Sequence, residues 1–190
     1  MNVLDEIRQC RICHDSLPLG ANPTIQGNNN ARILIAGQAP SKNVHLTNKP
    51  FNDASGVRLR SWLNVDEESF YNPNIFAIVP MAFCYPGKGK SGDLAPPSIC
   101  AQTWREELLN YFNQIELTIV IGQYAQHYHF TNFISVTEQT KQWEILLPKM
   151  IALPHPSPRN RHWLQKNTWF ERDVIPTLQT TTHKIITKIK

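Results

Sequence analysis

The chain has 190 residues, a net charge of +4, and hydrophobic and charged fractions of 41% and 18%. This length suits one domain, residues 1–190, with a full core, and the composition excludes disordered and fibrous classes. No apolar run reaches the roughly 18 residues of a spanning helix, and the opening MNVLDEIRQC is too polar and acidic for a secretory leader. A cytoplasmic, monomeric protein with no membrane partner is expected. The pI near 8.9 suits a nucleic-acid partner without requiring one. Fourteen prolines against eight glycines predict stiffened loops, and no internal repeat is present.

Four continuous apolar runs, ILIAG (33–37), IFAIVP (75–80), LTIVIG (117–122) and MIALP (150–154), have the pattern of strands covered on both faces. Between them lie helical patterns. SGVRLRSWL (55–63) is one-sided, and TWREELLNYFNQI (103–115) opens with Thr103 and Glu106 at capping-box spacing. QYAQHYHF (123–130) follows Gly122, and WLQKNTWFERDVIPTL (163–178) closes the domain, with Pro176 near its end and a basic tail free to fray. The alternation predicts an α/β fold: a three-layer α/β/α sandwich around a mainly parallel four-stranded sheet. Ligands in such folds bind beyond the carboxyl ends of strands. Three of these ends run into unusual sequence: GQAPS, PMAFCYPG and HPSPRNR.

All four cysteines join one layout: Cys10 and Cys13 as C-x2-C, then Cys84 and Cys100. Four thiols in a cytoplasmic chain point to a metal centre rather than disulfides, with zinc or an iron–sulfur cluster suiting an all-thiolate set. Four unrelated cysteines packed as small hydrophobes are the alternative.

Within the loop after the first strand, Asp53 is the one carboxylate, a candidate water activator and, as the commoner role, an N-cap for the helix beginning near Ser55, the two not being exclusive. His155, between two prolines directly after a strand, is a candidate site residue. His45 is more simply a solvated loop histidine, and Trp104, Trp143, Trp163 and Trp169 are assigned to the core. YPGKGKSGD (85–93) is glycine-rich with two lysines, but it lacks the ending of a nucleotide P-loop, so phosphate contact and a plain surface loop are equal readings.

Together, GQAPS, the downstream KPF, the cysteine layout and HPSPRNR resemble the uracil-DNA glycosylase superfamily, over most of the chain from Cys10 to about Pro176. The cysteine spacing is most similar to its family-four branch, whose members carry a [4Fe–4S] cluster, and the arrangement as a whole looks like a divergent bacterial subgroup. The resemblance implies a DNA glycosylase of base-excision repair. Such an enzyme flips a deaminated or damaged base, uracil first among them, out of single- or double-stranded DNA and hydrolyses its N-glycosidic bond.

It also implies site residues. Gly37, Gln38, Ala39 and Pro40 match the first motif at the pocket floor, Phe51 the aromatic that stacks on the base, and His155 the histidine facing the base oxygen. Ser157, Arg159, Asn160 and Arg161 match or extend the DNA-contacting loop. Cys10, Cys13, Cys84 and Cys100 match the ligands of the cluster, with zinc as the alternative.

Three positions depart from the family. Gln38 stands where family-four enzymes have a glutamate, Ala39 where the founding enzymes have an aspartate, and Pro80 where a strand-two asparagine reads uracil. Asp53, His155 and Gln38 are therefore the catalytic candidates. A divergent, non-catalytic nucleic-acid-binding relative is the main alternative, and a hydrolase of free nucleosides or nucleotides is a weaker one.

Overall fold

Each of the four apolar runs forms a strand. In the computed structural model, which describes residues 2–189, these are β1 (Ile33–Ala36), β2 (Phe76–Ile78), β5 (Leu117–Ile121) and β6 (Met150–Leu153). Two further strands, β3 (Lys88–Gly89) and β4 (Gly92–Asp93), make a separate antiparallel hairpin. The main sheet has the order β2-β1-β5-β6, and every pairing is parallel. From β1 the chain crosses to β2 on one side and later to β5 on the other, so the sheet has its switch point at the carboxyl end of β1.

Both faces of the sheet are buried, which explains why its strands do not alternate with polar residues. Ile33, Ile35, Ile119 and Ile121 pack on one side with Leu59 and Leu63 of α3 (Ala54–Leu63) and Leu178 of α10 (Ile175–Thr187). Leu34, Ala36 and Val120 pack on the other, with Val3, Leu4 and Ile7 of α1 (Val3–Gln9), Leu108 of α5 (Ser98–Tyr111) and Ala125 of α6 (Gly122–His129). Each of the Val, Leu and Ile side chains among them contributes about 1.5–3 kcal/mol on burial. The result is the expected three-layer α/β/α arrangement. Shorter helices complete it: α2 (Lys42–Thr47), α4 (Glu67–Phe70), α7 (Val136–Lys141), α8 (Trp143–Leu146) and α9 (Arg161–Lys166). The four tryptophans assigned to the core are only partly buried and pack against its flanks.

Two helix boundaries differ from expectation. Thr103 is not a cap: α5 starts at Ser98 behind Pro97, and Thr103 lies exposed within it. A proline pair has already set the backbone for helix entry there. At the other end, the described part of the tail is mostly helical. Pro176 sits in the first turn of α10, directly after a π-helical turn at Phe170–Val174. That wider turn accommodates a residue with no N–H to bond back. The helix then runs to Thr187 and buries Thr182, Ile185 and Ile186. None of the described helices is long and apolar enough to cross a membrane.

Candidate active site

The backbone pairing of β1 with β2 outlasts the strands and builds the floor of a cleft. Val79 donates to the Ile35 carbonyl at 2.9 Å, Met81 to Gly37 at 2.9 Å and Ala82 to Gln38 at 3.2 Å. Behind this floor, Arg105 of α5 is 1% exposed. Its Nη1 donates to the carbonyls of Val79 at 2.8 Å and Pro80 at 3.3 Å. Its Nη2 lies 2.7 Å from His129 Nε2. Burial pushes the imidazole of His129 down to about 3, with the Arg105 charge acting in the same direction, so it is neutral and accepts that bond. Burial also draws Arg105 down to about 10, which leaves it charged at neutral pH. A desolvated cation thus pins the end of β2, where Pro80 lines the cleft.

The wall above Gly37 is held by a tight contact. Phe51 has φ 53°, a left-handed conformation that is costly for an aromatic residue. Gly56 makes it possible: a Cβ there would lie 1.6 Å from the Phe51 carbonyl oxygen. The Tyr71 hydroxyl donates to the Pro50 carbonyl at 2.9 Å, and the Phe51 ring meets Phe70 edge-on at 6.3 Å. Asp53 is the N-cap of α3, its Oδ1 accepting the Gly56 N–H at 3.0 Å, and it also lines the cleft. The two readings of this carboxylate are compatible in space. His45 lies outside the cleft lining, on α2, with its ring edge-on to Tyr85.

Across the cleft, the loop after β6 presents His155. Its Nδ1 accepts the Ser157 N–H at 3.2 Å, which leaves Nε2 as the protonated nitrogen. Burial lowers the pKa of the ring, against the opposing charge of Asp53, so a neutral imidazole faces the site. Asn160 donates to the His155 carbonyl at 2.7 Å, and Arg58 of α3 donates to the Ser157 carbonyl at 2.9 Å. Arg159, expected on DNA phosphate, turns its Nη1 to the Ser91 carbonyl at 3.1 Å and so holds the hairpin.

These elements enclose a cleft of about 590 Å³, the size of a small-ligand site. Gly37 to Pro40, Phe51, Asp53, Pro80, His155, Ser157, Arg159 and Asn160 all line it; Arg161 lies outside that lining, exposed at the start of α9. Sequence reasoning missed Thr24, Ser41, Ser55 and Asp93, whereas Lys88 belongs to the segment read as a possible phosphate contact. In YPGKGKSGD the two lysines draw the eye, and the aspartate at its end is the signal for the cleft.

The four cysteines are free and line one small cavity of about 20 Å³ beneath the loop after β2. Burial pushes the Cys84 thiol up to about 11 and raises Cys100 as well. Among the described residues, no group of three or more His, Cys, Asp or Glu side chains has a metal-holding arrangement. The donor set itself, four thiols converging from the segment after α1, the β2 loop and α5, is chemically suited to an all-thiolate group.

A family model described as the Uracil DNA glycosylase superfamily matches residues 24–179. The chain belongs to the uracil DNA glycosylase superfamily. The matched span contains the whole of the four-stranded sheet and every cleft residue named above. It begins after Cys10 and Cys13, so the match does not bear on the first half of the cysteine set.

Proposed function

We propose that the protein is a monofunctional DNA glycosylase of base-excision repair, which extrudes a deaminated or damaged base such as uracil and hydrolyses its N-glycosidic bond. The observation that carries this reading is the pairing of a neutral, oriented His155 with the Asp53 carboxylate across one cleft, in a chain of this superfamily. A flipped base stacks on Phe51, and the cost of unstacking it is a few kcal/mol. As the N–C1′ bond breaks, its electron pair leaves with the base and positive charge grows on the sugar. His155 Nε2–H donates to the developing anion on the base oxygen, an interaction strongest in the transition state. The Asp53 oxygen not spent on the helix cap balances the sugar cation or orients water. Ser157 and Arg161 support contact with the DNA backbone.

Pro80 has no side-chain amide with which to read uracil, so recognition of the base rests on the remaining polar groups of the cleft. The cysteine set supports a structural [4Fe–4S] cluster, with zinc as the alternative. Held by Cys10, Cys13, Cys84 and Cys100, it would tie α1 to α5 and to the loop after β2.

The decisive experiment is cleavage of labelled oligonucleotides, each carrying one damaged base, followed by alkaline strand scission. Scission with at least one base is the expected result. Intact strands across the panel, alongside retained DNA binding, would replace this reading with the non-catalytic relative.

A further inference from the structure

Gln38 occupies the motif position where family-four enzymes place a glutamate, yet its amide is already engaged. Its Nε2 donates to the Leu94 carbonyl at 2.9 Å. Leu94 is held on its other side as well, its N–H donating to the Gly87 carbonyl at 2.9 Å. Between these anchors lies the hairpin β3–β4, which Arg159 fastens at Ser91. Gly92, at φ 144°, leaves room for the guanidinium: a Cβ there would lie 3.2 Å from Arg159 Nη1. Three hydrogen bonds therefore fix the short stretch containing Asp93. That residue lines the same cleft as Asp53 and His155. Among the described residues its carboxylate takes no hydrogen bond, so both oxygens are open to a water or a substrate.

We infer that Asp93 is a second catalytic carboxylate of this cleft, receiving the proton of the attacking water, and that Gln38 is the positioning residue that seats it. The inference rests on the glycosylase reading given above. The step balances as a hydrolysis: the water oxygen bonds to C1′, the N–C1′ electron pair leaves with the base, and the water proton passes to the Asp93 carboxylate. Asp53, one oxygen committed to the α3 cap, then serves the sugar cation. The electrostatics agree with the geometry. Asp93 is exposed at the rim of the cleft, and the partial desolvation there pushes its carboxyl up, with Arg159 pulling it back, Asp53 raising it further and Lys88 pulling it back; Tyr85 also lies within its field. A carboxylate with a raised pKa is the better proton acceptor. The glutamine follows from the same contact. It donates to a carbonyl, whereas a glutamate would set a carboxylate against the Leu94 oxygen.

The test compares the parent with Asp93→Asn and Gln38→Glu in single-turnover cleavage. It adds the affinity of each for oligonucleotides carrying a cationic azasugar or a neutral tetrahydrofuran abasic analogue. Asp93→Asn should slow cleavage about a hundredfold, remove the rise of rate with pH through the Asp93 carboxyl, and weaken the preference for the cationic analogue while leaving the share that Asp53 supplies. Gln38→Glu should slow cleavage about tenfold, the loss of one hydrogen bond, and speed amide exchange at Leu94. Parental cleavage by Asp93→Asn, or faster cleavage by Gln38→Glu, overturns the inference and leaves the glycosylase reading standing. If the parent cleaves no base but prefers the cationic analogue, and Asp93→Asn weakens that preference, the placement of Asp93 holds while the cleavage reading fails. If the parent neither cleaves nor prefers the cation, both fall.

Discussion

The Nδ1 of His155 accepts the backbone N–H of Ser157 at 3.2 Å, so the ring is fixed in the tautomer that carries its proton on Nε2. The same loop is braced internally by Asn160 and held from outside by Arg58 of α3. The imidazole is therefore oriented before any substrate arrives. His155→Ala should lower single-turnover cleavage about a hundredfold, the worth of a positioned donor of about 3 kcal/mol. DNA affinity should stay near the parental value. A variant that cleaves at the parental rate would remove His155 from the chemistry.

Asp53 separates capping from catalysis by its choice of substituent. Asparagine caps a helix about as well as aspartate, while alanine costs about 1 kcal/mol. Asp53→Asn should therefore keep the parental melting temperature and lose most of its turnover. Asp53→Ala should lose both. Parental turnover in Asp53→Asn would reduce this carboxylate to the cap of α3 and leave the charge in the cleft to Asp93.

Much of this organisation was legible in the sequence. The strands were readable because both faces of the sheet are covered, so Ile33 to Ala36 and Leu117 to Ile121 form unbroken apolar runs. The strand-end loops were readable because prolines and glycines punctuate them. Asp93 was not, because β3 and β4 are two residues each, too short for any periodicity, and their placement depends on Gln38 and Arg159 from distant parts of the chain. The tail was misjudged for a related reason. Thr182, Ile185 and Ile186 form a buried stripe that a basic, threonine-rich ending conceals.

Gly56 supplies a test of the strained wall. An added Cβ would lie 1.6 Å from the Phe51 carbonyl, a backbone atom that cannot swing aside like a side chain. Gly56→Ala should destabilise the protein by about 1–3 kcal/mol, the cost of overpacking, as read from urea unfolding. Phe51 would be displaced with it, so stacking of a flipped base should weaken. Unchanged stability would mean that α3 and Phe51 adjust without cost.

The four thiols give a chemical prediction. Anaerobically purified protein should be brown, with absorbance near 400 nm and iron bound, if the cysteines hold a cluster. Zinc without colour would support the alternative. Colourless, metal-free protein with four freely reactive thiols would return the cysteines to small packed hydrophobes.

Arg159 and Arg161 are two residues apart in sequence but differ in surroundings, which separates their effects on DNA binding. Arg161 is exposed outside the cleft lining, and Arg159 is turned onto the hairpin. Arg161→Ala should weaken binding across sequences and reduce the salt slope by about 0.9, the loss of one phosphate contact. Arg159→Ala should loosen the hairpin, with faster exchange around Ser91 and slower turnover, and should change the salt slope less. Equal loss of slope in both variants would place Arg159 on phosphate in the complex, and no loss in either would exclude this loop from the DNA interface.

The buried pair Arg105 and His129 sets the response to acid. His129 has a folded-state pKa near 3, below its ordinary 6.5, because burial and the Arg105 charge both oppose a second cation. The folded protein thus binds fewer protons here than the unfolded chain between those values. The sign follows: stability is full above about 6.5 and is lost progressively as pH falls toward 3. His155, also lowered by burial, adds loss in the same direction. Urea unfolding followed from pH 7.5 to 4.5 should show stability declining below about 6.5. His129→Gln retains a side-chain acceptor for the Arg105 guanidinium but does not titrate, so its decline should be shallower. A decline as steep in His129→Gln as in the parent would assign the acid sensitivity to His155 or to carboxylates elsewhere.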